Sequence, residues 1–136
     1  IQHNKAVRGY IIRSLVKGYN NTALTLQPLV ENAIYHGIQE KPEGGAISIE
    51  IVHETGDRIR ISVIDDGIGM TPAQLERLQE GLKEMAVSGF GMYNTNQRLR
   101  NYFGRESALR IESQFGEGTN VSFSINGNKR GEKAYD

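Results

Sequence analysis

The run "AISIEIVHETGDRIRISVID", residues 46–65, leaves this chain little choice of local structure. Ile47, Ile49 and Ile51 alternate with polar residues, Ile59, Ile61 and Val63 do the same, and "ETGD" separates the two sets. Strand side chains point to opposite faces in turn, so a period of two predicts a β-hairpin with one apolar face. "ALRIESQFGEGTNVSFSI" predicts a second hairpin, in which Val121, Phe123 and Ile125 answer Leu109 and Ile111. Between and before the hairpins the period changes. Leu26, Leu29, Val30, Ala33 and Ile34 carry the spacing of an amphipathic helix, with Pro28 expected in its first turn and Gly37 as its stop. "TPAQLERLQEGLKEM" predicts a second helix capped by Thr71, with Pro72 at its first position and Leu75, Leu78, Leu82 and Met85 as its stripe. "MYNTNQRLRNYF" predicts a third, closed by Gly104. Hairpins gathered into one sheet with helices on one face make an α+β fold, a two-layer α/β sandwich, and a mixed sheet is expected.

Composition narrows the function classes. A chain of 136 residues is the size of one domain with a real core. Its sixteen basic and sixteen acidic residues cancel, which argues against nucleic acid or an anionic membrane as a charge-driven partner. No cysteine is present, so disulfides and thiolate metal sites are excluded, and a reducing, cytoplasmic setting is expected. No stretch is apolar enough to span a bilayer or to act as a signal peptide. Residues 1–20 have mixed periodicity and read as a linker or a strand, 21–126 as the folded domain, and 127–136 as a disordered tail. A start at Ile1 suggests a piece of something larger.

Hydrolase and metal motifs are missing. There is no GxxxxGK[ST] loop, and His3, His36 and His53 lack zinc spacing. What stands out is the first hairpin's exit, "DDGIG" at 65–69, where an apolar strand runs into two acids and two alternating glycines. Alone, it reads as a turn. Three further segments accompany it in order: "LQPLVENAIYHG" before it, and "SGFGMYNTNQRL" and "GEGT" after it.

Together these four segments resemble the ATP-binding domain shared by sensor histidine kinases, gyrase, heat-shock chaperones and mismatch-repair ATPases. "LQPLVENA" followed by "HG" is similar in particular to the LytS-type sensor histidine kinases, and the resemblance runs from about Leu26 to Ile125. It implies ATP and Mg²⁺ as ligands. Asp65 matches the acid that accepts a hydrogen bond from the adenine amino group, as an acceptor-only carboxylate can. Gly67 and Gly69 match the glycines that let backbone approach the purine, with Met70 beside them. Thr119 matches the threonine that joins the acid and a water around the ring. Asn32 matches the Mg²⁺-ligating asparagine, an oxygen donor suited to a hard cation, and His36 falls on the same wall. Gly89 and Gly91, with Met92, match the second glycine box, where N–H groups at a helix start receive phosphate oxygens. Residues 71–88 correspond to the lid. The chain departs from many relatives in two places: Pro28 stands where Glu or Asn is common, and Tyr35 where Lys is. Glu31 is then the expected catalytic helper.

The resemblance implies a protein histidine kinase part that binds Mg·ATP and transfers the γ-phosphoryl group to a histidine on a separate dimerisation domain. Expected partners are that domain and a downstream response regulator, with no nucleic acid and no direct membrane contact, inside a membrane-anchored parent. An anti-sigma-factor-like serine kinase and a catalytically silent nucleotide-binding module are the alternatives.

Overall fold

Both hairpins form in the computed structural model, which describes residues 22–39, 41–84 and 91–126. Strands β1 (Ile47–His53) and β2 (Arg58–Asp65) make the first, and β3 (Arg110–Gln114) and β4 (Gly118–Asn126) the second. The sheet order is β1-β2-β4-β3. Register places Ile51 opposite Ile61, Ile61 opposite Phe123, and Ile111 opposite Val121. The alternating aliphatic residues of all four strands therefore share one face, with Ile61, Val63, Val121, Phe123 and Ile125 buried in the core.

The described sheet is antiparallel at every pairing, which corrects the expectation of a mixed one. The reason lies in the connection. After β2 the chain passes through two helices to the opposite end of the sheet, so β3 runs in the same direction as β2. The short turn into β4 then returns the chain between them and against both.

Among the described residues three α-helices cover the apolar face. Helix α1 spans Thr22–Asn32, α2 Pro72–Lys83 and α3 Gly91–Phe103. Their stripes supply Leu26, Leu29, Ala33, Leu78, Leu82, Met92, Leu99 and Phe103 to the same core as the strands. Helix α2 starts as predicted: Thr71 and Gln74 form a reciprocal capping box, and Pro72 occupies the first turn. Asn96 ties α2, α3 and the sheet together. Its amide donates to the Leu82 carbonyl at 3.1 Å and accepts from Leu109 N–H at 2.9 Å.

The first helix departs from its sequence reading. It begins at Thr22, so Pro28 lies in its interior, and Gly37 does not stop it. The chain instead widens into a π-helical turn over Ala33–Ile38, closed by Gln39 N–H on the Ile34 carbonyl at 2.8 Å. A π turn inserts an extra residue and rotates the downstream chain about the helix axis. Here it carries Gly37 against the end of β2. The expected strand or linker at 1–20, the tail at 127–136, Met85 and Gly89 lie outside the described residues.

Candidate functional site

A cavity of about 580 Å³ opens where the end of β2, the end of α1 with its π turn, α2 and the β3–β4 turn converge. Of the residues singled out by sequence, Asn32, His36, Asp65, Gly69, Met70, Met92 and Thr119 line it. Segments separated by up to 87 positions are thus brought to one place, from Asn32 to Thr119.

Asp65 is the last residue of β2 and pairs with Thr119 at the start of β4. It is only 6% exposed. Burial raises its carboxyl above the ordinary value, and the Asp66 charge adds to this, while the Gly67 and Thr119 backbone N–H groups act in the opposite sense. Gly67 N–H donates to Asp65 Oδ1 at 2.9 Å, which fixes the carboxylate in place. Asp66 serves the scaffold instead. Its Oδ1 accepts Ala46 N–H at 2.7 Å, and its carbonyl accepts Lys41 Nζ at 2.7 Å.

The glycines of "DDGIG" have a physical reason within the protein itself. A side chain at Gly67 would collide with the backbone of Gly37, and one at Gly69, where φ is +70°, would collide with the Gln114 carbonyl. The contacts they permit are within the protein. Gly37 completes the set, since a Cβ there would stand 2.7 Å from Asp65 Oδ1. Ile68 N–H donates to the Gly37 carbonyl at 3.2 Å, and Gly116 N–H to the Ile68 carbonyl at 2.6 Å. The loop after β2 is thereby clamped between the π turn and the second hairpin. Gly69 borders the cavity, whereas Gly67 lies behind its wall.

Two other candidates stand away from the cavity. Glu31 is exposed and accepts Gln27 Nε2 at 3.1 Å. Gly91 opens α3 on the surface, and among the described residues a Cβ there would meet only Pro28 Cβ, at 3.8 Å. Asn94 and Arg98 line a separate shallow groove on α3.

The cavity also contains residues that sequence reasoning missed: Gly37, Gln74, Arg77, Tyr93 and Phe115. Phe115 is 62% exposed at the hairpin tip. Ser113 supports the floor from below. Its hydroxyl accepts Met70 N–H at 2.9 Å and lies 2.8 Å from Thr119 Oγ1. A signal for Ser113 existed: it comes two positions after Ile111 in a strand, which places a hydroxyl on the apolar face. Gln74 and Arg77 carry no such signal, because polar residues beside a helical stripe usually face water.

Over residues 21–128 the chain matches the family described as histidine kinase-, DNA gyrase B-, and HSP90-like ATPase. It is 37% identical over 103 residues to the sensor histidine kinase YpdA of Escherichia coli, a match covering 76% of this chain and 17% of that protein. To the sensor protein LytS of Bacillus cereus it is 36% identical over 105 residues, 74% of this chain and 17% of that one. Among solved structures it resembles the histidine kinase domain of the blue-light activated histidine kinase from Erythrobacter litoralis EL346. The TM-score is 0.63 at 19% identity, over 85% of this chain and 48% of that one, a likeness of fold. The chain spans 17% of the length of each of the two curated relatives.

Proposed function

Because the chain belongs to the histidine kinase-, DNA gyrase B-, and HSP90-like ATPase family, we propose that it is the Mg·ATP-binding catalytic domain of a two-component sensor histidine kinase. In this reading it passes the γ-phosphoryl group of ATP to a histidine on a separate dimerisation domain, on the cytoplasmic side of a membrane-anchored parent. A response regulator then receives the signal. The observation that carries the reading is the buried, hydrogen-bonded Asp65 at the floor of a cavity whose mixed lining includes Ile68, Met70, Leu78 and Met92. A pocket that joins apolar side chains to a carboxylate suits a flat base with an exocyclic amine.

The chain's own residues divide the work. Asp65 accepts the amine, held by Gly67 N–H, and the aliphatic and thioether walls exclude water from the ring. Asn32, half-buried at the end of α1, offers an amide oxygen on the cavity wall. That fits Mg²⁺, which takes few protein ligands and keeps waters and phosphates around it, so a cage of acids is not required. Among the described residues no group of three or more acids or histidines could hold a metal by itself. When bound, the ion neutralises charge on the phosphates. The first N–H groups of α3, at Gly91, stand close to α1 and are suited to phosphate oxygens. Glu31, exposed and held at Oε1 by Gln27, keeps its second carboxylate oxygen for a helping role in the transfer.

Incubation with γ-labelled Mg·ATP tests the proposal. The chain should bind ATP and remain unlabelled, while an added helical domain carrying the parent's acceptor histidine becomes labelled with acid-labile phosphate. His53 ends β1, far along the sheet from Asp65, and His36 is part of the cavity wall, so neither is placed as an acceptor. Label on serine of a partner protein would instead favour the serine-kinase alternative.

A further inference from the structure

Ser113 lies at the centre of a hydrogen-bond junction beneath the cavity. Its Oγ is 2.9 Å from Met70 N, 2.9 Å from the Gly118 carbonyl oxygen and 2.8 Å from Thr119 Oγ1. A serine hydroxyl has one proton to donate and two lone pairs with which to accept. The Met70 amide only donates, and the Gly118 carbonyl only accepts. One arrangement makes all three bonds: Ser113 gives its proton to Gly118, and Thr119 gives its own proton to Ser113. The Thr119 hydroxyl then has lone pairs alone to turn toward the cavity that it lines. Asp65, its cross-strand partner on the same cavity, is an acceptor only as a carboxylate.

We propose that Ser113 is a positioning residue that sets the proton polarity of Thr119, so that the cavity floor presents two acceptors and selects 6-amino over 6-oxo purine nucleotides. The inference rests on the ATP reading above and adds the residue through which Thr119 takes part in discrimination. An amino group brings protons to both acceptors. A 6-oxo group brings a third acceptor in place of the amine, with that edge's proton moved to the ring N1–H, and a buried polar group facing its own kind forfeits a hydrogen bond. Without the Ser113 hydroxyl, Thr119 is free to rotate and donate, so a 6-oxo group is no longer refused on that side.

Calorimetric titration of the chain with ATP and with inosine triphosphate decides the matter. The wild type should prefer ATP. Ser113→Ala should reduce the ATP-to-inosine-triphosphate affinity ratio roughly tenfold, the discrimination of about one hydrogen bond. Ser113→Thr, which keeps the hydroxyl, should restore the ratio. In a Thr119→Val background, Ser113→Ala should leave the ratio unchanged, because the hydroxyl it orients is gone. Should the alanine variant fail to fold, Ser113→Cys takes its place: it keeps the volume, offers only a weak acceptor, and should also depress the ratio. Parallel loss of both affinities with the ratio intact would reduce Ser113 to a structural residue and overturn the proposal. A wild type that binds neither nucleotide would overturn the ATP reading, and this inference with it.

Discussion

At Asp65 the stability of the domain and the proposed recognition of the base pull in opposite directions. Its carboxyl is raised chiefly by burial. For an acid with a raised folded-state value, the stabilising contribution is complete below the ordinary Asp range and is lost as pH climbs through the folded value. Above the ordinary Asp range the buried carboxyl therefore weakens the empty domain. Asp65→Asn should melt at higher temperature than the wild type near neutral pH, and the difference should close as pH falls to about 4, the ordinary Asp value. Thermal melts across that range check the sign, and calorimetry should show ATP binding lost. The glycines form a second residue-scale pair. Gly67→Ala would drive a methyl into the Gly37 backbone, which cannot give way as a side-chain tip can, and should destabilise the empty fold by roughly 1–3 kcal/mol. Gly91→Val meets no such obstacle, so its melting temperature should stay near wild type while ATP affinity falls. A Gly67→Ala protein as stable as wild type but unable to bind ATP would return that glycine to the ligand-approach role.

At the scale of elements, α2 is the informative case. Read from sequence it belongs to the lid segment, with Leu75, Leu78, Leu82 and Met85 as its stripe. Leu78 and Leu82 are in fact core residues, and Gln79 Nε2 donates to the Ile111 carbonyl at 3.2 Å. Asn96, 2% exposed, closes the joint by bonding Leu82 at the end of α2 and Leu109 before β3. Asn96→Ala takes from the buried Leu109 N–H its acceptor and from the Leu82 carbonyl one of its donors, the Glu84 N–H remaining. Chemical denaturation should show a loss of about 1–3 kcal/mol, the cost of the unpaired N–H. Hydrogen exchange should rise at Leu82 and Leu109 together. A loss confined to one of them would mean that α2 and β3 are not joined through Asn96.

For the whole molecule, the site is a junction of chain segments and not the property of any one. Asn32 comes from α1, Asp65 from β2 and Thr119 from β4, and the two-layer packing sets them around one cavity. Their roles are separable. Asn32→Ala removes an oxygen proposed for Mg²⁺ but no contact with the base, so Mg·ATP affinity should fall well beyond that of metal-free ATP. Titrations with and without Mg²⁺ that decline equally would make Asn32 a structural residue. Asp65→Asn should weaken both forms alike.

Residue spacing and motif identity were enough for the local elements and for the family. Period-two and helical spacings are short-range signals, and they located both hairpins, the Thr71 cap and the end of α3 at Gly104. The four motif segments carried the resemblance because their residue types are dictated by what each must touch. Contacts between distant segments follow from no local spacing and emerge with the packed fold. The π turn that overrides Gly37 as a stop fits the junction in which Gly37 accepts Ile68 N–H and makes room for Asp65, and no local rule encodes that junction. The Gly67 clash involves a backbone 30 positions away, and the antiparallel seam between β2 and β4 comes from a return path through two helices. Ser113 was visible only as a hydroxyl on an apolar face. Its bonds to Met70, 43 positions earlier, and to Gly118 and Thr119 exist because the second hairpin folds back beneath the loop at the exit of β2.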